Sequence, residues 1–105
     1  LRIIEVDGSG WSEPLDFYNA LFEAIEQGYP HGVNLNAFID SMVWRGMGGI
    51  EPPYVVSVVG LKSAPDVVKE EVQVMATALA EAREERLARD GIDIDVSIST
   101  PDFAH

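Results

Sequence analysis

Tyr54-Val55-Val56-Ser57-Val58-Val59 is an almost unbroken β-branched run, bounded by Pro52-Pro53 before it and Gly60 after it. Branching at Cβ favours the extended chain. A continuous apolar run, as opposed to an alternating one, is how a strand covered on both faces of its sheet reads. Such a strand belongs in an α/β domain with helices packed on the sheet.

Downstream, residues 66 to about 89 carry Val68, Val72, Met75, Leu79 and Ala82 at helical spacing, which predicts one long helix closed by Gly91. Its distal part, Glu81 to Asp90, reads as a solvated face with i, i+4 pairs such as Glu85–Arg89. Ile92 to Ile98 alternates apolar and polar residues, which predicts a last strand with one wet side, and Thr100 to His105 is a tail.

Upstream, Leu1 to Val6 is a short β-rich run and Asp7-Gly8-Ser9-Gly10 supplies a turn. Ser12, as a cap, and Pro14 mark a helix start. Leu15, Tyr18, Leu21, Phe22 and Ile25 then recur on one face, and Gly28 ends the helix. Tyr29 to Val33 is a loop, and Asn34 caps a second helix reaching about Trp44. Gly46, Gly48, Gly49, Pro52 and Pro53 form the loop before the apolar strand. The order is β-α-α-β-α-β. Helices between strands favour parallel pairing, so the expectation is a three-stranded parallel sheet packed with three main helices, one domain over residues 1–105.

The 105 residues hold 18 acidic and seven basic side chains, a formal charge of −11. Phosphate-backbone binding needs clustered Lys and Arg, so nucleic acid is excluded as a partner, and anionic membranes are disfavoured likewise. A basic protein would be attracted and steered. No cysteine is present. That removes disulfides and thiolate chemistry and fits a cytoplasmic protein. No leader peptide is recognisable, and the apolar runs are too short to span a bilayer.

On a wheel of 3.6 residues per turn, Leu35, Phe38, Ile39, Met42 and Val43 share the inward face of the second helix. Val33, Asn36, Ala37, Asp40 and Trp44 fall outward, with Asp40 expected to stand unpaired by its own chain. Tyr29 and His31 lie just before the helix. Small residues, one amide, one carboxylate and a tryptophan make a better contact surface than a solubilising one. The competing arrangement has the Gly-rich loop folding back over Trp44.

Catalysis finds little support. His31 and Asp40 are the only neighbouring acid–base candidates, and nothing in the sequence orients the histidine. His31 and His105 are far apart and no thiol exists, so no metal site or cofactor is expected. Asp7-Gly8-Ser9-Gly10 lacks the lysine of a phosphate-binding loop.

His31-Gly32-Val33-Asn34-Leu35-Asn36-Ala37-Phe38-Ile39-Asp40-Ser41-Met42 resembles the Gly-x-Asn-Leu-x-Ala-x-x-Asp pattern of the barstar family of acidic ribonuclease inhibitors. The Asp7-Gly8 turn, the helix from Leu15, Pro53 before the apolar strand and the Gly91-Ile92-Asp93-Ile94 ending follow in the family's order. The resemblance implies a barstar-like fold. It also implies that the second helix and its preceding loop plug a ribonuclease active site, where carboxylates stand in for substrate phosphates. The resemblance carries Gly32, Asn34, Ala37 and Asp40 over as partner-binding residues, with Asp40 at the dominant carboxylate position; the outward face and the preceding loop add Tyr29, His31, Asn36 and Trp44. The implied partner is a basic ribonuclease or nuclease toxin. Three departures from the pattern stand out: Asn36 replaces a second carboxylate, Ile39 replaces a tryptophan, and Pro30 and His31 replace loop tyrosines. Asparagine cannot pair a guanidinium as an ion, so weak or absent inhibition of barnase itself is expected, and a non-inhibitory binding module on the same fold is the alternative.

Overall fold

The computed structural model describes residues 1–25, 35–45 and 51–101. Its strands are β1 (Arg2–Asp7), β2 (Tyr54–Val59) and β3 (Val96–Ser99), and its α-helices are α1 (Pro14–Ala24), α2 (Leu35–Ile39) and α3 (Asp66–Asp90). A π-helical segment, Asp40–Arg45, continues α2, and a 3₁₀ turn, Leu61–Ser63, follows β2. The sheet is parallel with order β1-β2-β3, so the Val-rich run is the central strand as the sequence implies. Ile4 faces Val56, which in turn faces Ile98, and Tyr54 faces Val96.

The expectation that β2 is covered on both faces holds for one. Tyr54, Val56 and Val58 are buried, whereas Val55, Ser57 and Val59 are half-buried. Beside them Ile3 is 67% exposed and Glu5 is exposed. Topology supplies the reason. Both crossovers step in the same direction across the sheet, and right-handed crossovers then deliver every helix to one face. The β-branched run reflects β2's central place, where neighbouring strands shield part of its open side.

The core lies between that sheet face and the helices. Phe17, Leu21, Ile25, Phe38, Val43, Leu61, Val68, Val72, Met75 and Leu79 are all fully buried in it. α1 is rotated from the sequence reading. Phe17 is fully buried, while Leu15, read as inward, is 47% exposed. Its start also differs. Ser12 does not cap as an acceptor. Asp16 Oδ2 instead receives the Ser12 N–H at 2.8 Å, the Ser12 hydroxyl at 3.2 Å and the Glu13 N–H at 3.2 Å. These bonds hold the Asp16 carboxyl below its usual range. The helix ends at Ala24, and Gly28 lies outside the described residues.

β3 is shorter than the alternation suggests. Val96 N–H bonds the Ile94 carbonyl at 2.8 Å, a tight turn that keeps residues 92–95 out of the strand. Arg83 of α3 fixes that approach. Its Nε lies 2.6 Å from Asp93 Oδ1, and its Nη1 lies 3.2 Å from Asp95 Oδ1. Asp93 and Asp95 are therefore ligands of an arginine, not the wet side of a strand. α3 closes as expected: Gly91, with φ of +70°, bonds the Leu87 carbonyl at 2.9 Å.

Candidate functional site

The second helix is short, and its anchor is Phe38. That ring is fully buried and stacks on Tyr18 of α1, with centroids 5.8 Å apart and planes 19° from parallel. Met42 and Val43 are buried with it, and Leu35 and Ile39 pack on the core while half-buried. The apolar face read from the sequence is thus the face that packs, at full depth for three of its five residues. On the other side Asn36 is exposed, and Ala37 and Asp40 are half-buried. Asp40 takes part in at least one interaction within its own chain, so it is not the wholly unpaired group the wheel implies. Tyr29, His31, Gly32 and Asn34 lie outside the described residues, as do Val33 and the glycines at 46, 48 and 49.

From Asp40 onward the chain is π-helical. A hydrogen bond reaching from i to i+5 widens the turn, so each residue advances less around the axis than in an α-helix. A 3.6-residue wheel therefore misplaces the end of this segment. Trp44, read as outward, is half-buried and packs against the core.

Two arginines of α3 meet Trp44 there. The Arg86 guanidinium carbon is 5.7 Å and that of Arg89 5.4 Å from the indole centroid. Both distances are within the range of a cation–π contact. Arg86 Nη1 also donates to the carbonyls of Val43 at 2.7 Å and Trp44 at 2.9 Å. Helix C-termini leave carbonyls without intrahelical donors, and a cation is favourable beside them. Arg86 Nε sits 2.9 Å from Asp90 Oδ2, an ion-pair distance without hydrogen-bond alignment. The distal part of α3 is therefore not simply a solvated face. Arg83 holds the approach to β3, and Arg86 and Arg89 hold the end of the second helix. Only the i, i+3 spacing of Arg86 and Arg89 was visible in the sequence, and spacing alone does not name a partner 42 residues away.

Charge elsewhere is mostly acidic, and several carboxylates are tied down locally. Arg83 holds the Asp93 carboxyl below its usual range, chiefly through its hydrogen bond. The Ser9 N–H does the same to Asp7, from 2.9 Å. Among the described residues no three His, Cys, Asp or Glu side chains gather where they could hold a metal ion. No described helix is long and apolar enough to cross a membrane.

A small parallel α/β domain, acidic overall and presenting a short two-faced helix, is the class these features define. The family described as barstar (barnase inhibitor) matches residues 1–99, and the chain belongs to the barstar family. Comparison with individual curated proteins gives no match.

Proposed function

We propose that this chain is a proteinaceous inhibitor, or an immunity protein, that occludes the active site of a ribonuclease-type partner with its second helix and preceding loop. The observation that carries this reading is membership, over residues 1–99, of a family described as inhibiting barnase. Asp40 supplies the central carboxylate to a cationic active site, and Asn36, exposed one turn earlier, adds a hydrogen bond. Gly32 permits close backbone approach before the helix, and Asn34 caps its start within the partner-binding set. Ala37, Tyr29, His31 and the accessible part of Trp44 supply contact area. The formal charge of −11 steers a basic enzyme toward the complex. The mechanism is occlusion without turnover, so the chain is not an enzyme. It acts in the cytoplasm, where an unchecked ribonuclease would meet cellular RNA.

Asn36 favours a second reading, a binding module that keeps the fold without inhibiting. A buried charge pair lost from an interface costs about 2–5 kcal/mol. Affinity for barnase is therefore expected to be far weaker than nanomolar. Ribonuclease inhibition assays and affinity capture from the source lysate separate the two readings. Recovery of a basic nuclease that the chain inhibits supports the first. Recovery of a non-nuclease partner, with no inhibition of any basic ribonuclease tested, refutes it.

A further inference from the structure

The π-helical segment Asp40–Arg45 ends against α3, and Arg86 of α3 supplies hydrogen bonds to its backbone there. Arg86 donates to two successive carbonyls, those of Val43 and Trp44, from a single nitrogen. Its Nε also lies 2.9 Å from Asp90 Oδ2, and its guanidinium carbon lies 5.7 Å from the Trp44 indole centroid. Arg89, one turn on, lies over the same indole. The side chain of Arg86 is only 19% exposed, so these bonds form in a site largely withdrawn from water. There a charged donor binds carbonyls more strongly than at the surface.

We infer that Arg86 is a positioning residue for the partner-binding helix: it latches the C-terminal end of that helix to α3 and so fixes the face that carries Asn36 and Asp40. The inference rests on the proposed function for its biological meaning and on the bonds above for its physics. Phe38, Met42 and Val43 bury the inner face of the segment, but apolar contact is not directional, and α2 itself has only five residues. Short helices do not hold themselves in water. The directional constraint at the segment's end is the carbonyl latch, and the Arg86–Trp44–Arg89 stack closes it. A guanidinium suits the task because its planar fork reaches carbonyls and carboxylate together while stacking on an aromatic face.

The test needs no partner. In a Trp11→Phe background, which leaves Trp44 as the single tryptophan, amide hydrogen exchange and acrylamide quenching are measured for Arg86→Gln, Arg86→Lys and Arg89→Gln. Arg86→Gln is expected to speed exchange of residues 42–45 by about tenfold while the amides of Val72 and Met75 keep their protection. Arg86→Lys is expected to fall between, because an ammonium reaches a carbonyl but cannot also stack. Arg89→Gln is expected to raise acrylamide quenching of Trp44 without changing exchange at 42–45. Unchanged exchange at 42–45 in Arg86→Gln would overturn the latch. So would a uniform rise over the whole chain, or full rescue by lysine. Because these readouts are made on the chain alone, the latch can fail while the inhibitor reading survives. A chain that inhibits no nuclease can equally still show the latch.

Discussion

Tyr18 donates its phenolic hydrogen to Glu71, joining α1 to α3 across 53 residues of sequence. The same ring stacks on Phe38 and leans on Phe17, whose centroid is 5.0 Å away. One tyrosine thus links the first helix to the other two. The second helix rests on this aromatic group through Phe38.

Tyr18→Phe keeps the stacked ring and removes only the donor. A hydrogen bond to a charged group contributes about 1.5–3 kcal/mol when well shielded, and Glu71 is half-buried, so a loss of about 1–2 kcal/mol is expected. Urea unfolding at neutral pH measures it. A midpoint equal to that of the parent would show that water replaces the phenol without cost.

Alkali should unfold the chain earlier than its carboxylates alone would suggest. Burial raises Tyr18 well above the ordinary tyrosine value, with Glu71 adding to the shift, and burial pushes Tyr54 up to about 12. Above a pH of about 10 the unfolded chain releases these protons and the folded chain retains them. The stabilising contribution is therefore complete below that pH and declines as pH rises toward the folded values. Urea midpoints from about pH 9 to about pH 12 should fall, and the slope should be shallower in Tyr18→Phe. Identical slopes would place the alkaline loss elsewhere.

Two glycines with the same φ of +70° should respond differently to alanine. At Gly91 a Cβ would meet nothing within 4 Å, so Gly91→Ala carries only the left-handed backbone cost of about 1 kcal/mol. At Gly60 the Cβ would lie 2.5 Å from Asp7 Oδ1 and 3.0 Å from the Ser9 backbone nitrogen. Asp7 would have to leave its bond to the Ser9 N–H. Gly60→Ala is expected to lose at least about 2 kcal/mol, combining backbone strain with that displacement. Equal thermal midpoints for the two variants would contradict the steric argument.

The contrast between these glycines shows what sequence could and could not reveal. Gly91 follows a helical pattern and reads as a cap directly. Gly60 is decided by Asp7, a residue on another strand that comes near only once β1 pairs with β2. The same division runs through the molecule. The Val-rich run of β2 and the spacing of Val68, Val72, Met75 and Leu79 each report a local period, and both elements are where that period puts them. The sheet's uncovered face follows from the direction of two crossovers, which no local pattern encodes. In the candidate site Phe38, Met42 and Val43 were legible as the packed face. Trp44 was not, because the wheel assumes one helical pitch and the segment changes pitch at Asp40. Arg86 was illegible for a further reason: its partners are backbone carbonyls, which carry no residue identity.

Asp40→Ala should weaken binding to the cognate nuclease by about 2 kcal/mol or more, roughly thirtyfold, as truncation of a central interface carboxylate does. Surface plasmon resonance at several salt concentrations separates contact from steering. Charge attraction between exposed groups is screened over a Debye length of about 8 Å at physiological ionic strength. The association rate of the parent chain should therefore fall as salt rises, while the Asp40→Ala loss should appear mainly in dissociation. Association insensitive to salt would argue against steering by the acidic surface.

Asn36→Asp tests the same surface in the opposite direction. Asn36 is exposed on α2, so the exchange disturbs no packing, and it places a second carboxylate one turn before Asp40. Two like charges at i, i+4 oppose the free helix by a few tenths of a kcal/mol at about neutral pH. A cationic active site would more than offset that, because a desolvated charge pair at an interface contributes about 1.5 kcal/mol or more. Asn36→Asp is expected to tighten binding to barnase by about tenfold or more, with a small drop in the stability of the chain alone. Tighter binding without inhibition would show contact away from the ribonuclease active site. No gain at all would mean that the surface meeting Asn36 carries no cation, and the family's mode of engagement would then not apply to this helix.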